Sequence, residues 1–188
     1  TVAELIHEYL PFVRSIGGYG RVDSVKNKSV EQIKELHRMG YDRLVFGIES
    51  GDDAVLKRMN KGYEAKDIVE QLGKLTEAGM DYAVIFLSGL GGHGYGLSHA
   101  EKTADVINQL TPFRVMAAGL FPDTPLMEDV KNGTFVEATE AERIEELQTF
   151  LRKLTIETTI DATNASIITP IYGQLPNDKQ KMLDTLET

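Results

Sequence analysis

The stretch LVFGIESGDDAVLKRMNKGY, residues 44–63, contains a carboxylate and a cation at positions from which they could bind a ligand. Glu49 ends an apolar run that is typical of a buried strand, and Lys61 closes the short helical pattern that follows. One interpretation is that Glu49 caps the next helix or forms a salt bridge with it. The other is that the two opposite charges bind the polar ends of one small molecule. The rest of the sequence bears on this choice.

A glycine-rich segment, GLGGHGYG at residues 89–96, lies between a predicted strand and a predicted helix. It contains a literal G-x-G-x-x-G pattern, which occurs in dinucleotide-binding loops. However, Ser98 is the expected helix cap, so the pattern ends before the helix, and no acidic residue ends the next strand. The G-K-[ST] of a phosphate-binding loop is also missing. Two interpretations stay open: a flexible turn, or a bare backbone against which a flat ligand can lie.

Other polar residues near this segment do not indicate a metal site. The spacing of His93 and His99 matches no common set of ligands, so we expect both to be exposed loop residues. Residues 140–146 are rich in glutamate and are expected to form the solvated face of a helix. The sequence contains no cysteine, which excludes disulfides, thiol nucleophiles and cysteine-ligated metals in this chain.

Composition narrows the classes of partner. The chain has 188 residues, of which 41% are hydrophobic, and this is enough for one sizeable core. Its formal net charge is −9 and its basic residues are dispersed, so we expect no nucleic-acid interface. No apolar run approaches the ~20 residues of a membrane-spanning helix. We therefore expect no membrane association and a cytoplasmic location.

Apolar strand patterns alternate with capped helical patterns along the chain, which predicts an α/β fold. Five strands are predicted, at residues 21–25, 44–48, 82–87, 113–120 and 155–160. They are apolar throughout, which is typical of a parallel sheet covered by helices. Such sheets bind ligands at the carboxyl ends of their strands. Four segments lie at such ends: 23–26, 49–53, 88–96 and 121–124.

No linker divides the chain, so residues 1–188 are interpreted as a single domain. Residues 1–160 hold the repeated strand–helix units, and residues 161–188 form a C-terminal extension. A closed eight-stranded barrel takes about 250 residues, so this chain is either a small open sheet or part of a barrel. Beyond Pro170 we expect a surface helix or a frayed tail. The helical pattern begins at Thr1, and we therefore expect a fragment of a longer protein.

Residues 35–92 resemble the later part of radical S-adenosylmethionine (SAM) enzymes, including relatives of oxygen-independent coproporphyrinogen oxidase. The shared pattern begins with a strand ending in G-[IV]-[EQ]-S and a helix with L-K-x-[MI]-[NG]-[KR]-G. A helix ending in A-G and an apolar strand leading into G-L-x-G follow. The segment GLFPDTPLMEDVKNGTF, residues 119–135, is similar to the family's P-x-T-P-L part. The resemblance covers residues 30–135 and implies a partial (β/α)6 barrel, from its third strand onward, that binds SAM across its strand ends.

The resemblance also implies which residues contact SAM. In the family, the carboxylate of the G-[IV]-[EQ]-S motif contacts the ribose; here this is Glu49, and Ser50 belongs to the same motif. The basic residue after the next helix, here Lys61, contacts the methionine carboxylate. These roles suit the chemistry, because a bidentate acceptor can hold a vicinal diol and a cation can hold a carboxylate.

The adenine and substrate sides of the site are implied in the same way. Leu87 and Gly89 occupy the positions that pack on adenine, where aliphatic cover beside glycine suits a purine face. Asp23, Phe121 and Thr124 lie at other strand ends and are weaker candidates for the substrate side.

The family's reaction also needs a C-x-x-x-C-x-x-C loop, whose thiolates hold a [4Fe–4S] cluster. The cluster supplies the electron that cleaves SAM to a 5′-deoxyadenosyl radical, which abstracts hydrogen from the substrate. The resemblance thus implies that the parent protein is a radical SAM iron–sulfur oxidoreductase with an unknown substrate. Because this chain has no cysteine, we expect the cluster loop to lie outside it and the fragment alone to be inactive.

Two other functions stay open. One is a cluster-free α/β module for protein interaction or regulation, and the other is a dinucleotide-binding enzyme. The absent first strands would leave an apolar sheet edge exposed, so we expect a homodimer that covers this edge.

Overall fold

A computed structural model describes residues 1–121 and 125–187 of the chain. Its centre is one sheet of six strands: β1 (Tyr19–Gly20), β2 (Leu44–Glu49), β3 (Tyr82–Ser88), β4 (Arg114–Gly119), β5 (Thr158–Ala162) and β6 (Ile171–Leu175). The strands lie side by side in chain order. Neighbours from β1 to β5 are parallel, and β6 is antiparallel to β5. The prediction of an α/β fold with a parallel sheet is confirmed.

Eight helices connect and flank these strands within the described residues: α1 (Val2–Tyr9), α2 (Val30–Arg38), α3 (Asp53–Arg58), α4 (Ala65–Ala78), α5 (Gly96–Ile107), α6 (Leu126–Asn132), α7 (Glu140–Lys153) and α8 (Lys179–Leu186). Crossovers between parallel strands are right-handed, so a strand order without reversal places the crossover helices on one face. The contacts of α2 with α4, α4 with α5, α5 with α7 and α7 with α8 agree with this. This is the arrangement of a partial barrel.

The main core lies between the sheet and these helices. The sequence pattern predicts Ile68, Val69, Leu72 and Leu75 on the inward face of α4; the structure buries Ile68, Leu72 and Leu75 in this core and packs the partly buried Val69 against it. Phe86 of β3 stacks on Phe150 of α7 with a distance of 4.2 Å between ring centroids. Burying such a side chain contributes about 1.5–3 kcal/mol, so the apolar faces account for the sheet–helix packing. The residue pairs Ser29–Gln32 and Thr139–Glu142 predict capping boxes, and both are present at the starts of α2 and α7.

Two predicted elements have different bounds in the structure. The strand predicted at 21–25 is reduced to β1, and a 3-10 helix at Val22–Ser24 follows. The reason is local: the Arg21 amide donates to Ser24 Oγ at 3.3 Å, and the Ser24 amide donates back to the Arg21 carbonyl at 3.0 Å. A serine that bonds nearby backbone in this way favours a turn over a strand. The helix α5 begins at Gly96, before Ser98, and has no side-chain cap.

Beyond Pro170 the structure has a helix, as one of the two expectations for this segment states, but it places an unpredicted strand before that helix. Strand β6 alternates buried and exposed residues and pairs with β5 along its length. Helix α8 then packs back on the core through Met182, Leu183 and Leu186. A period of two over five residues is a short signal, and its pairing with β5 decides the outcome.

One edge of the sheet is open in the described part of the chain. The edge strand β1 has two residues, and Tyr19 is 83% exposed. Nearby in sequence, α1 and the residues after it also expose large apolar side chains, namely Val2, Leu5, Tyr9, Leu10 and Phe12. Within residues 1–121 and 125–187, no helix has the length and apolar character that crossing a membrane requires.

Candidate functional site

Glu49 ends β2 in an unusual backbone conformation. Its φ angle is +63°, a region that residues other than glycine rarely adopt, and the pairing of β2 with β3 shifts register between Gly47 and Glu49. The carboxylate folds back over Gly47, where an added Cβ would lie 2.9 Å from Glu49 Oε1. The glycine of the G-I-E-S motif therefore makes room for the carboxylate. Ile48 between them is fully buried and anchors the strand end.

Lys61 forms an ion pair with Glu49. The distance from Lys61 Nζ to Glu49 Oε2 is 2.7 Å, and the side chains are 12% and 32% exposed. Lys61 reaches this position from the segment after α3, and its Nζ also lies 3.5 Å from the Gly47 carbonyl oxygen. In the chain without a ligand, Glu49 therefore forms a salt bridge, as the first of the two interpretations predicts. The predicted contacts of Glu49 and Lys61 with SAM stay a prediction.

Two further residues, Arg21 and Tyr63, lie beside this pair. No motif in the sequence indicates that either belongs to the site. The Arg21 guanidinium bonds Asp23 at 3.0 Å through both Nε and Nη2, and its Nη2 also donates to the Lys61 carbonyl at 3.0 Å. This contact lowers the pKa of Asp23. The Tyr63 hydroxyl donates to the Gly47 carbonyl at 3.3 Å. Burial, and then the charge of Glu49, raise the pKa of Tyr63, so its phenol stays protonated.

A cleft of about 430 Å³ lies beside the pair at the carboxyl ends of the strands. Arg21, Glu49 and Lys61 contact one another at one end, and Asn60 also lines the cleft. The apolar lining residues are Met59, Leu87, Leu90, Leu120, Phe121 and Leu126, and all but Phe121 pack in one hydrophobic cluster. The cleft therefore offers a charged end and an apolar end to a single ligand.

The structure brings several of the predicted site residues to this cleft. Glu49, Lys61, Leu87 and Phe121 line it, and Phe121 is 66% exposed at its rim. Asp23 reaches it only through its bond to Arg21, Gly89 is not among the lining residues, and Thr124 lies outside the described residues.

Ser50 and the residues after it fix the end of β2 on α5. Ser50 is fully buried, and its hydroxyl accepts from the Asp52 amide at 2.9 Å. The Gly51 amide donates to Thr103 Oγ1 at 2.9 Å, and a Cβ on Gly51 would lie 2.7 Å from the Thr103 Cα. The contact between loop and helix is thus as close as glycine permits. Ser50 is not among the residues that line the cleft.

Asp52 completes this loop as a buried carboxylate. It accepts from Lys102 Nζ at 2.8 Å, the Tyr95 hydroxyl at 3.0 Å and the Ala54 amide at 2.8 Å. Burial acts to raise the pKa of Asp52, but these bonds outweigh it and lower the pKa. Asp52 also caps α3, so the helix between Glu49 and Lys61 is fixed at its start.

A second buried carboxylate holds the end of β3. Glu146 of α7 accepts from Ser88 Oγ and from the Gly89 amide, both at 2.6 Å, and its other oxygen lies 2.7 Å from His99 Nδ1. His99 and Glu146 are both fully buried. The prediction of an exposed His99 is therefore wrong, and so is that of a solvated face for Glu146. Helical spacing carried a signal, because Glu146 lies four residues before buried Phe150 and His99 four before buried Thr103.

The glycine-rich segment is held by the same helix. Glu142 accepts from the Gly94 amide at 2.8 Å and from His93 Nδ1 at 3.0 Å. The Thr139 and Gly94 amides and His93 lower the pKa of Glu142 to about 2. His93 is 61% exposed, as predicted. Because carboxylates already bind the Gly89 and Gly94 amides, these amides do not form the anion-binding loop of a dinucleotide site.

The fold defines an α/β protein with the order of a partial barrel, and a cleft lies at its strand ends. Residues 14–107 match the family model of the radical SAM superfamily. This match spans half of the chain, and the chain belongs to the radical SAM superfamily. Comparison with curated proteins gives no match.

Solved structures of low identity show the same fold. Elp3 of the archaeon Methanocaldococcus infernus, with an N-terminal deletion, matches with a TM-score of 0.63 and 18% identity, over 92% of this chain and 41% of that one. Methylornithine synthase (PylB) matches with a TM-score of 0.58 and 14% identity, over 98% and 48%. HydG, a maturase of the [FeFe]-hydrogenase, matches with a TM-score of 0.54 and 13% identity, over 93% and 36%.

The three solved proteins are all longer than this chain. The chain spans less than half the length of each of them. At such identities the likeness concerns the fold. None of the matches supports the narrower relation to oxygen-independent coproporphyrinogen oxidase, which stays a prediction from the sequence.

Proposed function

We propose that the cleft at the strand ends binds SAM and that the chain is the SAM-binding portion of a radical SAM iron–sulfur oxidoreductase. The observation that supports this most is the combination of a charged end and an apolar end in one cleft of about 430 Å³, in a chain of this superfamily. SAM has the matching chemistry, since an amino acid and a ribose carry its polar groups and adenine provides a flat face.

At the charged end, the proposal assigns Lys61 to the carboxylate of SAM and Glu49 to the ribose hydroxyls. An ammonium and a carboxylate form a charge-assisted hydrogen bond, and a carboxylate can accept from both hydroxyls of a diol. In the structure, Lys61 Nζ donates a hydrogen bond to Glu49 Oε2 at 2.7 Å. Binding would therefore exchange one ion pair for two sets of ligand contacts.

At the apolar end, the proposal assigns Leu87 and the backbone at Gly89 to adenine. Leu90 and Leu120 line the same end and are buried. Aliphatic side chains that pack on a purine remove apolar surface from water. Phe121 and Asp23 keep their proposed place on the substrate side, and the substrate itself stays unassigned.

The residues of this chain do not fit a [4Fe–4S] cluster. The sequence has no cysteine, and in the part of the chain that the structure describes no three His, Asp or Glu side chains are grouped to hold a metal ion. No reaction step through a cluster is derived for this chain. In the proposed parent enzyme, residues outside these 188 would hold the cluster, and we expect this chain alone to have no radical activity.

SAM binding to the purified chain tests the proposal. Isothermal titration calorimetry should detect binding to the wild-type chain, and Glu49→Ala combined with Lys61→Ala should weaken it by about tenfold or more, as the loss of charge-assisted bonds predicts. The matched control is Glu64→Ala combined with Lys66→Ala, which removes an exposed ion pair of the same length, 2.7 Å. Unchanged affinity in the first variant would refute the assignment of Glu49 and Lys61.

The open edge of the sheet supports a proposal about assembly. We propose that a second copy of the chain covers β1, since two identical short edges can pair across a two-fold axis. The exposed Tyr19 and the apolar side chains of α1 lie in this part of the chain. The same surface is the observation that favours the alternative function, a cluster-free module for protein interaction.

A further inference from the structure

The peptide group between Ser88 and Gly89 is held on both sides. The Ser88 carbonyl accepts from the Leu120 amide at 2.9 Å, which ties the end of β3 to the end of β4. The Gly89 amide donates to Glu146 Oε2 at 2.6 Å, and Ser88 Oγ donates to the same oxygen at 2.6 Å. Both polar atoms of this peptide are therefore satisfied within the fold, and its plane is fixed.

This peptide lies between two residues that line the apolar end of the cleft. Leu87 precedes it and Leu90 follows it, and both belong to the lining. Because the Gly89 amide is bound to Glu146, it is not available to a ligand. The backbone at the end of β3 thus presents no free donor beside the two leucines, which suits a flat, apolar ligand face.

The bonds of Glu146 define its protonation state. Its Oε2 accepts two donors at 2.6 Å, and its Oε1 lies 2.7 Å from His99 Nδ1. Among the described residues, His99 Nε2 has no hydrogen-bond partner, and the ring packs beside Phe86 at 5.2 Å between ring centroids. A buried N–H without an acceptor is more unfavourable than a bare ring nitrogen. We therefore assign the proton of a neutral His99 to Nδ1 and a carboxylate to Glu146.

We propose that Glu146 and His99 are positioning residues of the SAM cleft. Glu146 holds the Ser88–Gly89 peptide so that Leu87 and Leu90 present an apolar surface to adenine, and His99 holds Glu146. Neither side chain lines the cleft. The inference rests on the proposed function of that cleft and adds two residues, each fully buried, on which SAM affinity depends.

The variant Glu146→Gln tests the proposal without a change of shape. Its carbonyl oxygen can accept from Ser88 and Gly89, but its NH₂ group then faces His99 Nδ1. That nitrogen must become an acceptor, so the His99 proton moves to Nε2, where it has no partner. The matched control is Glu145→Gln, the same substitution at the neighbouring exposed residue of α7.

We expect three results with ¹⁵N-labelled chain and calorimetry. In the wild-type chain the imidazole ¹⁵N shifts should show protonated Nδ1 and bare Nε2 at His99, and Glu146→Gln should reverse them. The Gly89 amide signal should move in the same variant, since it loses a charged acceptor. SAM affinity should fall by roughly fivefold, since the bonds from Ser88 and Gly89 to a charged acceptor become weaker bonds to a neutral one. Glu145→Gln should change none of these.

Two outcomes separate this inference from the proposed function. If the wild-type chain binds SAM and Glu146→Gln binds it equally well, the positioning role is refuted while the cleft remains a SAM site. If the wild-type chain shows no SAM binding, the proposed function fails, and the inference fails with it.

A pair of substitutions at His99 provides a second test that does not depend on the stability of Glu146→Gln. The amide NH₂ of His99→Asn can take the place of Nδ1–H, so this variant should keep affinity within about twofold. His99→Leu fills the same buried site without a donor and should lose about tenfold, as removal of a donor to a charged group predicts. If His99 only fills space, His99→Leu should bind SAM at least as well as His99→Asn, which would refute the proposal.

Discussion

Alanine substitutions at two glycines, Gly51 and Gly73, should separate the effect of close packing from that of helix propensity. Gly51→Ala adds a methyl group where the loop after β2 contacts α5. A Cβ at this position would lie 2.7 Å from Thr103 Cα, 2.8 Å from Val106 Cγ2 and 2.9 Å from the Lys102 carbonyl oxygen. Two of these atoms belong to the backbone of α5, so no rotation of a side chain can relieve the contacts. The loop and the helix must move apart, and the bond from the Gly51 amide to Thr103 Oγ1 at 2.9 Å must lengthen.

The magnitude follows from these contacts. Overpacking of this kind costs about 1–3 kcal/mol, and weakening the buried hydrogen bond adds about 1 kcal/mol. We expect Gly51→Ala to lower the free energy of unfolding by about 2–4 kcal/mol. For a chain of this size that corresponds to a melting temperature lower by roughly 5–15 °C. Because Glu49 lies two residues away, SAM affinity should fall as well.

The control is the same substitution in a helix where there is space. Among the described residues, no atom other than those of its chain neighbours and of the α4 backbone lies within 4 Å of a Cβ on Gly73, in the middle of α4. Alanine is favoured over glycine by about 0.5–1 kcal/mol in a helix interior, so Gly73→Ala should raise the unfolding free energy. Urea unfolding followed by circular dichroism measures both. Equal stabilities of the two variants would refute the packing argument.

Two further predictions concern acid stability and assembly. The pKa of Glu142 lies at about 2 in the fold against an ordinary value of 4.5, so its stabilisation is complete above pH 4.5 and is lost as the pH falls toward 2. The stability difference between the wild-type chain and Glu142→Gln, measured by urea unfolding, should shrink over that interval. Light scattering should give twice the monomer mass for the wild-type chain and the monomer mass for Tyr19→Lys, because an edge lysine opposes strand pairing.

Clear results contradict either prediction. A stability difference for Glu142→Gln that stays constant between pH 5 and pH 2 would show that the bonds from Thr139 and Gly94 do not favour the ionised form. A wild-type chain that is monomeric at all concentrations would refute the proposed pairing of β1. Tyr172→Lys is the control, because it places the same charge on an exposed residue of another strand, β6.

The sequence predicts the fold well where local rules decide it. The apolar runs that form β2 and β3 and the capping boxes of α2 and α7 need no knowledge of distant partners. Their alternation leads to the parallel sheet and so to the strand ends where Glu49 and Leu87 meet. This is why the cleft contains residues that sequence patterns had already singled out.

The parts that the sequence did not predict depend on distant residues. Glu146 is 57 residues from Gly89 and 47 from His99, and these partners follow from the packing of α7 on α5, which lies beyond the reach of local patterns. Arg21 reaches the Lys61 carbonyl across 40 residues. Strand β6 likewise depends on β5 as its partner. A polar residue at a helical core spacing is the signal that would have identified Glu146.

The ion pair between Glu49 and Lys61 has a consequence for selectivity. A ligand that binds Glu49 or Lys61 must compete with the other side chain of the pair, which belongs to the same chain and lies 2.7 Å away. A simple anion that took Lys61 would leave the Glu49 carboxylate, which is 32% exposed, without its cation, and a simple cation would do the reverse. Only a molecule that offers an acceptor for Lys61 and donors for Glu49 at once satisfies both groups. The ion pair thus disfavours simple ions as ligands of either side chain.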